Sequence, residues 1–109
     1  MEPIRIEYET RPYTVCLSKS NNQEILIRTE GGLLVARLAP NGGTSESKFK
    51  IREDGQIVAN DKIYGWIDNR SYVKCLPKIL ELAVKEASGN DAQKLVKAHN
   101  FAKTLESVV

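Results

Sequence analysis

The hydrophobic period of this chain changes once, near residue 70, and that change limits its possible folds more than any other feature. Before it, apolar and polar residues alternate, as in strands with one wet face. After it, apolar residues recur at intervals of three and four, the spacing of an amphipathic helix. No Pro-, Gly- or Ser-rich linker separates the parts. The 109 residues match the common size of one domain. A single unit over 1–109 is therefore expected, with 1–70 strand-rich and 71–109 forming two helices.

In the first part, Ile4, Ile6 and Tyr8 alternate with Arg5, Glu7 and Glu9. Arg11-Pro12 breaks the pattern, and Tyr13, Val15 and Leu17 resume it. A polar turn at 18–23 leads into 24–29, which carries Ile25, Leu26 and Ile27 and reads as a central strand. Glu30-Gly31-Gly32 turns the chain back into 33–38, because glycine supplies the positive φ of a tight hairpin. After a polar loop, Phe49 and Ile51 alternate with Lys48, Lys50 and Arg52. Asp54-Gly55 and Asn60-Asp61 then mark hairpins around 56–59 and 62–67. Local hairpins throughout predict an antiparallel β-meander or small barrel of about six strands.

The second part opens with Asn69 or Ser71 as a helix N-cap. Val73, Leu76, Ile79, Leu80, Ala83, Val84 and Ala87 form one stripe. Pro77 is tolerated only in a first turn, so the regular helix starts near Cys75-Leu76-Pro77. Ser88-Gly89-Asn90 ends it, and Asn90 or Asp91 caps a second helix with Ala92, Leu95, Val96, Phe101, Ala102 and Leu105 on its apolar face. The fold class expected is α+β, a sheet followed by a C-terminal helical hairpin. The hairpin covers its own sheet or a second copy of the chain. The expected core is Ile4, Ile6, Val15, Leu17, Ile25, Ile27, Val35, Phe49, Ile51 and Ile57 from the strands, with Leu76, Leu80, Leu95, Phe101 and Leu105 from the helices.

Composition excludes several functions. Lys and Arg number 16 against 14 Asp and Glu, a net of +2, too balanced for tight non-specific binding of nucleic acid. No apolar stretch approaches the ~20 residues that span a bilayer. The N-terminus lacks the apolar core of a signal peptide, so a cytoplasmic chain with reduced Cys16 and Cys75 is expected. One histidine and two cysteines fall short of a structural zinc set, and no metal or cofactor is expected.

The chemistry-bearing candidates are few. Cys16 on a strand, or Cys75 at a helix start, could serve as a nucleophile with His99, although all three also read as unreactive or boundary residues. The loop Asn41-Gly42-Gly43-Thr44-Ser45 lacks the spacing and following helix of a phosphate loop. Glu7 with Glu9, on one strand face, and Glu53-Asp54 are paired carboxylates beside balancing arginines. Lys94, Lys97 and His99 lie on the polar side of the second helix. The feature that stands out is a basic-aromatic pair of strands. Lys48, Lys50 and Arg52 share one strand face, and alternation puts Lys62, Tyr64 and Trp66 together on another. Cations tracking phosphates beside rings that stack on bases is the mixture used by single-strand binders. Tyr64 and Trp66 read equally well as core residues, and alternation does not say which face of 62–67 is wet.

Three functions follow. The first is a small non-catalytic binding or regulatory protein, monomer or homodimer, contacting a protein partner through a sheet edge or the helical hairpin. The second is a single-stranded DNA or RNA binding module using Lys48, Lys50, Arg52, Lys62, Tyr64 and Trp66. The third is a small enzyme using Cys75. No membrane partner is expected.

Overall fold

A computed structural model describes residues 2–18, 24–40 and 48–108. Among the described residues, seven strands form one open antiparallel sheet: β1 (Ile4–Tyr8), β2 (Arg11–Leu17), β3 (Ile25–Thr29), β4 (Leu34–Leu38), β5 (Lys50–Ile51), β6 (Gln56–Ala59) and β7 (Lys62–Ile67). A 3-10 turn over Arg70–Lys74 leads into α1 (Leu76–Glu86) and α2 (Gly89–Leu105). The α+β class and the C-terminal helical hairpin are as expected, and the sheet is open rather than closed into a barrel. Its order is β1-β2-β3-β4-β7-β6-β5. Two meanders therefore meet at β4 and β7. After β4 the chain crosses to the far edge and works back by hairpins, a Greek-key arrangement. The glycine loop 41–45 and the turn 19–23 lie outside the described residues.

Each hairpin has a local cause. Asn60 (φ 50) and Asp61 (φ 63) occupy the left-handed region, which their short polar side chains tolerate. The β1–β2 turn is different. It is made by Glu9 (φ 52) and Thr10 (φ 66), and Arg11-Pro12 opens β2 instead of breaking the sheet. A β-branched residue at positive φ is strained. Thr10→Gly is accordingly expected to raise stability by about 1 kcal/mol, read as a higher urea midpoint at unchanged slope.

One face of the sheet is dry. Ile6, Tyr13, Val15, Leu17, Ile25, Ile27, Leu38, Ile57 and Ile67 are all buried there. The helices cover it: α1 packs on α2 and lies over β1 and β2. At the other end of the sheet Phe101 of α2 meets Phe49 edge-on at 5.0 Å, and Phe49 meets Tyr64 edge-on at 5.3 Å. The hairpin thus covers its own sheet. Every expected core residue is buried except Ile4, which is half-buried at the edge. Pro77 sits in the first turn of α1, where its missing N–H costs nothing. Asn69 caps the 3-10 turn, its side chain accepting the Ser71 N–H at 2.9 Å. Ser88, not Asn90 or Asp91, stands at the N-cap of α2.

Candidate functional site

Strict alternation fails once where it matters. In β7 the register against β6 shifts, with Gly65 opposite Ile57 and Ile63 opposite Val58. Tyr64 is the extra residue of a β-bulge, which turns two successive residues to one side. Tyr64 therefore points into the core, 4% exposed, against Phe49 and Phe101. Trp66, two residues on, points to the opposite face and is half-buried. The grouping of Lys62, Tyr64 and Trp66 on one face is corrected on this point. Lys62 is exposed beside the hairpin turn, opposite Ala59, and Tyr64 is withdrawn from any surface site. Ile63, before the bulge, is 55% exposed.

Gly65 makes the bulge possible. Its φ is +147, and a Cβ there would stand 2.1 Å from the Arg37 carbonyl oxygen of β4. Only glycine fits such a conformation at such an approach.

The face turned away from the helices carries a cross-strand row. Cys16 is opposite Leu26, Leu26 opposite Arg37, Arg37 opposite Trp66, and Trp66 opposite Gln56. Arg52 closes the row, its Nη1 donating to Gln56 Oε1 at 3.2 Å. Directly opposed side chains lie roughly 5 Å apart at Cβ, so Trp66 is flanked by Arg37 on one side and by the Gln56–Arg52 pair on the other. The indole is fixed in direction: Nε1–H donates to the Asp54 carbonyl at 2.9 Å. Asp54 also holds the turn, its carboxylate accepting the Gln56 N–H at 3.0 Å. Next to this row stand Thr14 and Arg28 on one side and Lys50, Val58 and Ile63 on the other.

The structure thus brings Lys50, Arg52 and Trp66 to one face. Lys48, exposed just before β5, precedes them. Arg28 and Arg37 belong to the same face and were missed. Their signal was present, since an arginine inside an apolar strand must point to water. Acidic groups sit at the margins: Glu7 on the edge strand, Glu24 before β3 and Asp68 after β7. Arg5 pairs with Glu30 at 2.9 Å, an exposed contact worth little to stability.

A second feature lies at the end of the sheet where the β1–β2 turn meets the 3-10 turn. It is a hollow of about 430 Å³. Its walls bring together Tyr8, Tyr13 and Tyr72 with Cys75, and the strained Glu9 and Thr10 stand beside Arg11 and Ser71. Glu9 is in the turn, so it does not share a strand face with Glu7 as expected. Burial pushes the Cys75 thiol up, and the Glu9 carboxylate adds to that, while a backbone hydrogen bond opposes it. Its Sγ donates to the Tyr72 carbonyl at 3.3 Å. Both effects favour the thiol over the reactive thiolate, and His99 is not among the residues around it. Burial likewise raises Tyr8 and Tyr13, with Arg11 opposing at Tyr13.

A pH dependence follows from Tyr13 and Cys75. Raised native values mean that the folded chain keeps protons the unfolded chain releases. The stability they contribute is whole below the ordinary thiol and phenol values of 9.0 and 10.0, and is lost as pH climbs through the native ones. Urea midpoints measured across that window are expected to fall with rising pH. Tyr13→Phe combined with Cys75→Ala should flatten the slope.

Cys16 and Cys75 are free, and among the described residues no group of His, Cys, Asp and Glu is arranged to hold a metal ion. No helix of the described residues is long and apolar enough to cross a membrane. Comparison with protein-family models, with curated proteins and with solved structures finds no match to this chain.

Proposed function

We propose that this is a non-catalytic binding protein whose contact surface is the uncovered sheet face, and that its partner is a protein presenting acidic groups around an apolar centre. The observation that carries this reading is the row Arg37–Trp66–Gln56–Arg52, with exposed Ile63 and half-buried Leu26, Leu34 and Val58 beside it. Tryptophan and arginine are the residues that dominate binding energy at protein interfaces. Aliphatic neighbours supply area that excludes water around them. Arg37 stands next to Trp66 in mid-sheet with Arg28 on β3, and Lys50 and Arg52 extend the positive charge to the β5 edge, so an acidic partner is complementary.

Single-strand nucleic acid is the second reading, favoured by the same cations around Trp66. It is weaker because Tyr64 belongs to the core, which leaves one ring where strand binders use several.

Affinity capture with wild type, Trp66→Phe and Arg37→Glu tests both readings. A defined acidic protein is expected on the wild type, released by salt and bound at least about 30-fold more weakly by Arg37→Glu. Equal recovery by all three proteins would remove the sheet face from consideration. Trp66 is the only tryptophan, so its fluorescence reports directly on this face. Quenching by oligo(dT) or oligo(U) at low salt, lost in Arg37→Glu, would replace the protein partner with nucleic acid.

A further inference from the structure

The hollow beside the β1–β2 turn plays no part in the sheet-face reading. Its lining carries one cation, Arg11, and one anion, Glu9. These two exposed residues flank Thr10, Glu9 in the turn and Arg11 at the start of β2; they make no ion pair with each other or with any other described residue, and instead face the tyrosines, Glu9 toward Tyr8 and Arg11 toward Tyr13. Two opposite charges on one rim, left apart, form a dipolar mouth. The interior is of another kind. Tyr13 is 5% exposed and forms the floor, and Tyr8, Tyr72 and Cys75 are half-buried around it. Phenol rings offer a face to a cation and a hydroxyl to an anion.

A second hollow of about 220 Å³ adjoins the first at Arg11, Tyr13 and Tyr72, and runs on past Pro12 and Thr29 to the β3–β4 turn. The space therefore continues beyond the charged mouth. Glu9 and Thr10 hold positive φ where glycine or asparagine would be relaxed. Both Glu9 and Arg11, on either side of Thr10, line the hollow.

We infer that this hollow binds a small zwitterion of the free amino-acid class, its carboxylate held by Arg11 and its ammonium by Glu9 and the tyrosine faces. The side chain of such a ligand extends toward the second hollow between Tyr13 and Tyr72. A ligand with only one of the two charges satisfies half of the mouth and leaves the other half desolvated, so it binds less well.

The test is an NMR titration of the intact ¹⁵N-labelled chain with free alanine, leucine, phenylalanine, glutamate and lysine. N-acetylalanine, which lacks the ammonium, and alaninamide, which lacks the carboxylate, are the controls. At least one free amino acid is expected to shift the amides of 8–13 and 71–75 saturably. Both controls should bind at least ten-fold more weakly than alanine or the best ligand. Arg11→Gln is expected to weaken the zwitterion at least ten-fold while leaving alaninamide unchanged. Glu9→Gln should likewise weaken the zwitterion at least ten-fold, while leaving N-acetylalanine unchanged. Both side chains are exposed, so the variants are expected to fold, and their undisturbed spectra elsewhere would show it. No saturable shift with any of the five amino acids would overturn the inference, as would controls that bind as well as the zwitterions.

Discussion

Gly65→Ala is expected to destabilise the protein by about 4 kcal/mol, near the limit for a single substitution. The two causes are independent. The backbone at Gly65 has φ +147, outside the range L side chains adopt, and the new Cβ would be forced against the Arg37 carbonyl at 2.1 Å. That carbonyl belongs to β4, so it cannot swing aside as a flexible side chain would. Relief requires β4 and β7 to part. The β4–β7 pairing is what joins the meander β1–β4 to the meander β5–β7, so the damage falls on the one seam that makes the sheet continuous. Urea unfolding gives the loss of stability. Hydrogen exchange should show Arg37 and Trp66 amides, which face each other across this seam, losing protection first. A Gly65→Ala protein of near-normal stability would mean that β7 does not bulge at this position.

Phe101→Ala is expected to cost about 3–5 kcal/mol, the range for emptying a buried phenylalanine site. Phe101 is 6% exposed and contacts Phe49 edge-on at 5.0 Å, with the Tyr64 ring at 6.4 Å. Each edge-to-face pair adds about 0.5–1.5 kcal/mol beyond burial. The position matters because α1 covers the β1–β2 end, while α2 reaches the β5 and β7 end through this aromatic cluster. Removing the ring leaves Phe49 and Tyr64 without their cover. Phe101→Leu keeps most of the volume and should recover more than half of the loss. A loss below about 1 kcal/mol for alanine would mean that α2 is held by α1 alone.

Much of this fold was legible in the residues. Val15, Ile25, Ile27 and Ile57 announce strands by alternation, and Leu76, Leu80, Leu95 and Leu105 announce helices by spacing. These patterns are local and read directly. Pro77 marked the start of α1 for an equally local reason. The strand order was not legible. Nothing in 33–38 or 62–67 says that they pair, because the connection between them passes through two other strands.

The candidate site was half legible. Lys50, Arg52 and Trp66 do share a face, but Tyr64 left it and Arg28 and Arg37 joined it. Gly65 inside a strand was the available warning of a bulge, and reading it would have separated Tyr64 from Trp66. The hollow beside Glu9 and Arg11 had no such signal. Its walls come from segments some sixty residues apart, 8–13 and 71–75, and no local pattern records that meeting.

By itself, then, the sequence determined the elements, their approximate bounds and nearly all of the core, since hydrophobic periodicity is a property of neighbours along the chain. Tertiary structure decided which strands are adjacent, which way Tyr64 and Trp66 point, and which side chains share a surface. Those depend on pairing between distant segments, where one extra residue in a ladder reverses every side chain beyond it.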